Sequence, residues 1–172
     1  MTAERQRTPQ LPPRLFVRAA WVVHRAIYRF TGGRRGLWRP KVDAFGAMRL
    51  STMGRRSGQS RVAIVGYYVD GPNLVTLAMN GWADAEPAWW LNLQAHPDTT
   101  IELTDGPRAV RARAAQGRER VRLWARWREF SDNYDAWAAM RSRETAVVVL
   151  EPRATAKEQA VLPASKSWKA RR

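Results

Sequence analysis

The sequence predicts an α+β, mainly β fold: a small β-barrel of about six mostly antiparallel strands with packed helices, preceded by an amphipathic helix. Three observations carry that expectation. Short alternating or wholly apolar segments recur from residue 44 to residue 152, separated by Gly, Pro, Asp and Asn turn signals. Helical periodicity interrupts them once midway and twice more before the last strand. A chain of 172 residues with 45% hydrophobic content suits one domain with terminal extensions. Residues 1–43 read as a basic arm and helix, 44–152 as the barrel domain and 153–172 as a basic tail.

Residues 1–13 are polar and proline-containing. Residues 14–31 show helical spacing, with Arg14, Arg18, Trp21, Arg25, Tyr28 and Arg29 on one face and Phe16, Ala20, Val23, Ile27 and Phe30 opposite. Such a basic amphipathic helix lies either on an anionic membrane surface or over the protein's own core. Thr31-Gly32-Gly33 ends it, and 32–43 is a basic linker. Ala44–Met53 and Arg61–Val69 read as strands around a glycine-bracketed turn. Asp70-Gly71-Pro72-Asn73 is a turn into a third strand, Leu74–Ala78. Pro87–Ala95 is predicted helical, with Asp84 and Glu86 favouring its start, and His96-Pro97 stops it. Thr99–Thr104 and Arg108–Ala114 form a hairpin across Asp105-Gly106-Pro107. Gly117–Phe130 is a helix with Val121, Leu123, Trp124, Trp127 and Phe130 as its apolar face. A short helix follows from Asp132, a good N-cap, to Met140. Thr145–Leu150 is wholly apolar after its first residue, as a central barrel strand requires.

Composition narrows the chemistry. The chain has no Cys, which excludes disulfides, thiolate catalysis and Cys-based zinc sites. His24 and His96 are the only histidines, so no metal site is expected. Neither Ser51 nor Ser57 has a base arranged near it, and no carboxylate pair stands out as an acid/base couple. The motifs GxGxxG and GxxxxGK[ST] are absent. Net charge is +15, of which residues 1–43 hold +8, 44–150 only +3 and 151–172 +4. Basic ends on a nearly neutral middle favour an anionic surface as partner over nucleic acid. No apolar run reaches the ~20 residues that span a bilayer, and arginines interrupt every candidate signal-peptide core. A cytoplasmic protein, peripheral at the inner face of the cell membrane through residues 14–31, is the expectation.

The turn Gly54-Arg55-Arg56-Ser57-Gly58, with Arg61 just beyond, is the chief candidate site. Glycines at positive φ and successive free amides make an anion nest, and arginines add charge-assisted contacts to phosphate oxygens. Taken alone, the turn is either a phosphate clamp or a solvated basic hairpin. Nine tryptophans suit a pocket for a flat ligand, and with no nucleophile in place the hard chemistry falls to a bound cofactor.

The ordered series Leu50-Ser51-Thr52-Met53-Gly54-Arg55-Arg56-Ser57-Gly58, Asn80-Gly81, Glu86-Pro87-Ala88-Trp89-Trp90-Leu91-Asn92-Leu93, His96-Pro97 and Val147-Val148-Val149-Leu150-Glu151-Pro152 closely resembles the deazaflavin (F420)-dependent nitroreductase family. The resemblance implies a split β-barrel of the flavin-reductase kind that binds coenzyme F420. It implies that Arg55, Arg56 and Ser57 meet the phosphate and that Arg61, Val62, Ala63, Ile64, Val65 and Gly66 line the cofactor. It places Leu77, Ala78, Met79 and Asn80 along the deazaflavin ring, and Ala88, Trp89, Trp90, Leu91 and Asn92 on its other side. Tyr134 is implied over the ring, as proton donor or substrate anchor. Met79 and Trp137 depart from the nitroimidazole-reducing relatives and favour a larger, more apolar acceptor. The expected reaction is hydride transfer from F420H2 to a quinone, with nitro compounds and enones as further acceptors. A non-catalytic F420 or flavin carrier on the same barrel, and a basic binding protein using the barrel as a scaffold, are the competing readings.

Overall fold

A computed structural model describes residues 36–153. The amphipathic helix expected at 14–31 and the tail from 154 onward lie outside the described residues. Six strands run in the order β1 (Gly46–Met53), β2 (Ser60–Asp70), β3 (Asn73–Leu77), β4 (Asp98–Leu103), β5 (Gly106–Ala114) and β6 (Val147–Pro152). They close into a barrel of order β1-β2-β3-β6-β5-β4, with every ladder antiparallel. Three helices are described: α1 (Ala88–Ala95), α2 (Gly117–Arg128) and α3 (Tyr134–Ala139). None is long and apolar enough to cross a membrane.

Period-2 alternation turns Met48, Leu50, Val65, Tyr67, Ile101, Leu103, Val110, Ala112, Val148 and Leu150 into the barrel. Helix α1 joins this inner core through Trp89, Trp90 and Leu93. The outer face of β2, β3 and β6 offers Tyr68, Val75, Leu77, Val147 and Val149 to a second cluster, built with α2 and α3 from Trp82, Leu123, Trp127 and Tyr134. Strand β6 is therefore buried on both faces, which is why Val147 to Leu150 is continuously apolar.

Local details differ from expectation where partners decide them. The β2–β3 hairpin has Gly71 at φ 57° followed by Pro72, the sign pattern of a II′ turn. The β4–β5 turn instead centres on Thr104 and Asp105, because Leu103 pairs with Gly106. Pro107 then sits inside β5, tolerated because β6 stops opposite Val110 and leaves that stretch with one neighbour. Val121 is 67% exposed rather than part of the apolar face of α2; the barrel meets only the stripe through Leu123 and Trp127. Asp132 does not cap α3: the helix starts at Tyr134 with Asn133 at its cap position and no side-chain cap bond. Trp38, from the linker, pairs with Ala47 through both backbone bonds.

Candidate active site

The Gly54–Arg61 turn lies at the end of β1 and β2, against α1. Its amides do not form an open nest. The Gly54 N–H donates to the Gln59 carbonyl at 2.8 Å, and those of Ser57 and Gly58 donate to the Gly54 carbonyl at 3.2 and 2.8 Å. The Gln59 N–H reaches Ser57 Oγ at 3.4 Å, and the Arg55 N–H donates to Asn92 Oδ1 at 3.1 Å. Only the Arg56 amide of residues 54–59 is left over. The turn is thus pre-folded by its own bonds, which leaves its side chains as the main free donors. Gly58 takes φ 64°, as expected, but Gly54 does not adopt positive φ. A Cβ at Gly54 would lie 2.9 Å from Ser57 Oγ and 3.1 Å from the Gln59 carbonyl oxygen, so a side chain there would crowd the turn.

Arg55, Arg56, Ser57 and Arg61 are exposed. Arg61 donates to Gln59 Oε1 at 3.3 Å. None of the three arginines pairs with a carboxylate among the described residues, whereas Arg39, Arg49, Arg108, Arg111, Arg113, Arg120, Arg122, Arg126, Arg128, Arg141 and Arg153 all do. The turn therefore concentrates uncompensated positive charge, a donor set that suits a phosphodiester and a polyanionic tail.

From this turn β2 runs beside β1 along its full length, but β3 joins its other edge only at Tyr68, Val69 and Asp70. Ser60 to Tyr67 have no strand on that edge among the described residues. Continued past Tyr68 and Val75, the register would set Gly66 level with Leu77 and Ile64 level with Met79, yet no ladder joins them. The barrel is split here. Val62 and Met53 are exposed apolar residues beside the split, while Ile64 and Val65 are buried and Ala63 and Gly66 half-buried. The Arg61–Gly66 segment and the Leu77–Asn80 segment thus border one opening.

The residues expected to face a cofactor differ widely in exposure. Leu77 and Ala78 are buried, Met79 is half-buried against the outer cluster, and Asn80 is exposed. Of the α1 residues expected at the cofactor, Ala88 is exposed and Leu91 half-buried. Trp89 and Trp90, expected beside the ring, are buried in the barrel core. Asn92 is 4% exposed, and its amide is spent on protein: Oδ1 accepts from Arg55 and Nδ2 donates to Thr52 Oγ1, each at 3.1 Å. The acidic residues before α1 serve neighbours too. Asp84 accepts from both the N–H and Oγ of Ser142, which holds its carboxyl below the usual range. Glu86 faces Arg141.

Tyr134 is buried at 4% exposure, its ring 5.4 Å from Trp82, 5.7 Å from both Trp127 and Trp137 and 6.5 Å from Trp124. Burial pushes its phenol up to about 12, so it is protonated at neutral pH. It belongs to the outer cluster, against which Met79 also packs. Arg141 was missed by sequence reading; nothing in the pattern around it signals burial. No cluster of three or more His, Cys, Asp or Glu suited to a metal occurs among the described residues.

A closed antiparallel barrel, split between two strands and bordered by an arginine turn with no carboxylate partner among the described residues, defines a split β-barrel fold. A solved domain-swapped dimer shares it at TM-score 0.59 and 22% identity, covering 78% of this chain and 99% of that one. A solved F420H2-dependent reductase shares it at TM-score 0.55 and 23% identity, covering 61% and 93%. An F420H2-dependent quinone reductase of Mycobacterium tuberculosis is 35% identical over 136 residues, covering 76% of this chain and 89% of that protein. One from a second strain of that organism matches to the same extent. Residues 21–152 match the family described as F420H2-dependent quinone reductase, and the chain belongs to that family. It is an F420-dependent oxidoreductase with coenzyme F420 as its cofactor.

Proposed function

We propose that the split between β2 and β3 is where this protein passes a hydride from F420H2 to a quinone. When bound, reduced F420 supplies the hydride. The observation that supports this placement is the edge of Ser60 to Tyr67, unpaired among the described residues, which ends at three arginines without carboxylate partners among them. The side chains of Arg55, Arg56, Ser57 and Arg61 hold the phosphodiester. Strand edges carry unpaired backbone donors and acceptors, so Arg61 to Gly66 present hydrogen-bonding groups to the polar rim of a flat ring. Ala78, Met79 and Asn80 border the ring opposite, and Ala88 and Leu91 close the end nearest α1. Trp89, Trp90 and Asn92 act from behind, as core and brace.

The acceptor sits beside Met79 and Tyr134. Converting a quinone to a hydroquinone with one hydride also takes a proton, and negative charge develops on a carbonyl oxygen meanwhile. A phenol kept protonated by burial donates a hydrogen bond to that oxygen and anchors it. The apolar surroundings of Met79, Trp82 and Trp137 favour a quinone ring and exclude water from the transfer. Nitro compounds and enones are secondary acceptors on the same geometry. Contact of residues 14–31 with the inner face of an anionic membrane, from the cytoplasmic side, accompanies this reading. It is supported by the +8 charge of residues 1–43 and by the lipid solubility of quinones.

Tryptophan quenching on titration with F420 tests the site. The double substitution Arg55→Ala/Arg56→Ala is expected to raise the F420 Kd at least about tenfold, from the loss of charge-assisted bonds. The wild-type affinity is expected to weaken as salt rises. An unchanged Kd in the double variant removes the phosphate from this turn.

A further inference from the structure

Arg141 follows α3, and its side chain is completely buried. Nη1 donates to the Ala78 carbonyl at 3.1 Å and to Thr145 Oγ1 at 2.7 Å. Nη2 lies 3.5 Å from Glu86 Oε1, an ion pair without a hydrogen bond, and Nε is buried with no hydrogen-bond partner among the described residues. The next residue, Ser142, binds Asp84 Oδ1 through its N–H at 2.6 Å and its hydroxyl at 2.7 Å. One dipeptide therefore ties together the end of β3, the loop that leads into α1 and the residues that precede β6. Burying a guanidinium is costly unless the geometry repays it. Arg presents a rigid planar fork that reaches a carbonyl, a hydroxyl and a carboxylate at once; a lysine ammonium on a flexible stem does not.

We propose that Arg141 is a positioning residue for hydride transfer. It touches neither cofactor nor acceptor. By holding the Ala78 carbonyl and Glu86 it fixes the Ala78–Asn80 loop relative to the start of α1, and so sets how the ring and the acceptor face each other. This rests on the reading that the ring lies along Ala78 to Asn80. A small displacement of that loop lengthens the transfer distance, to which such reactions are steeply sensitive. Among the described residues Arg141 makes no hydrogen bond or ion pair with the phosphate anchor at Arg55 and Arg56, so binding and transfer respond separately.

The test uses the full chain with F420 and menadione as acceptor. Arg141→Lys is expected to lower the single-turnover rate of F420H2 oxidation at least tenfold while the F420 Kd changes less than threefold. A folded Arg141→Lys protein with the wild-type rate overturns the proposal, as does a rate loss matched by an equal loss of affinity. If Arg141→Lys does not fold, Thr145→Val is measured in its place, since it removes one acceptor and leaves the guanidinium paired with Ala78 and Glu86. A several-fold rate loss at unchanged Kd then supports the proposal, and an unchanged rate overturns it. The Arg55→Ala/Arg56→Ala titration separates the two levels: an unchanged Kd there defeats the site assignment itself, whereas a normal Arg141→Lys rate defeats only the role of Arg141.

Discussion

Replacing Asn92 by Ala removes a side chain that joins α1, β1 and the arginine turn. The amide makes two hydrogen bonds of 3.1 Å, one from the Arg55 N–H and one to Thr52 Oγ1, from a site only 4% exposed. Thr52 is equally buried and keeps only a 3.5 Å contact to the Arg61 carbonyl. A buried hydroxyl that loses its partner costs about 1–3 kcal/mol. The Arg55 amide lies at an exposed turn where water replaces the lost acceptor, so that bond contributes only about 0.5–1.5 kcal/mol. The expected destabilisation is therefore about 2–4 kcal/mol, or roughly 4–16 °C in Tm for a chain of this size. The turn also loses its tether, and the order it must regain on binding raises the F420 Kd about fivefold, equivalent to about 1 kcal/mol. Thermal melts and quenching titrations of Asn92→Ala, Thr52→Val and the double variant form a cycle. Coupling of about 1 kcal/mol between the two sites is expected. Strict additivity together with an unchanged Kd would refute the view that Asn92 is a brace.

Tyr134→Phe is expected to slow quinone reduction by about a hundredfold or more, the range of a lost positioned donor, with the F420 Kd unchanged; a wild-type rate would reduce Tyr134 to packing. Trp127→Ala opens a cavity between Phe45, Tyr68, Phe130 and Tyr134, and a loss of about 3–5 kcal/mol is expected in urea unfolding; a loss below about 1 kcal/mol contradicts the outer cluster. Burial raises Tyr134 to about 12 and pushes Tyr67 and Tyr68 up as well. Unfolded tyrosines ionise near ~10, so this contribution is complete below that pH and is lost as pH rises through about 12. The urea midpoint should hold steady to about pH 10 and then fall; a flat profile to pH 12 would show these phenols to be solvated.

The arginine turn illustrates how far sequence reading reaches. Gly54, Arg55, Arg56, Ser57 and Gly58 announce a tight basic turn through local sterics and charge alone. Whether its amides remain free depends on Asn92, which lies 37 residues away from Arg55 and on another element. Similarly, the family resemblance places Trp89 and Trp90 beside the ring, but the closed barrel buries both in its core. Arg141 carries no pattern at all, because its burial comes from Ala78, Thr145 and Glu86 converging on it.

What the sequence by itself determined was the kind and order of the elements, the hairpin turn at Gly71-Pro72, the family resemblance and the cofactor it implies. These follow from short-range causes: period-2 alternation, the φ preferences of Gly and Pro, and residues adjacent along the chain. Only the tertiary structure decided that β2 and β3 part after Tyr68 and Val75, that the turn's amides are spent on its own bonds rather than left open as a nest, and that Arg141 links three segments. Those features depend on which groups meet across the barrel once both faces of β6 are covered. Burial and hydrogen-bond satisfaction are settled there by the whole fold, not by any stretch of it.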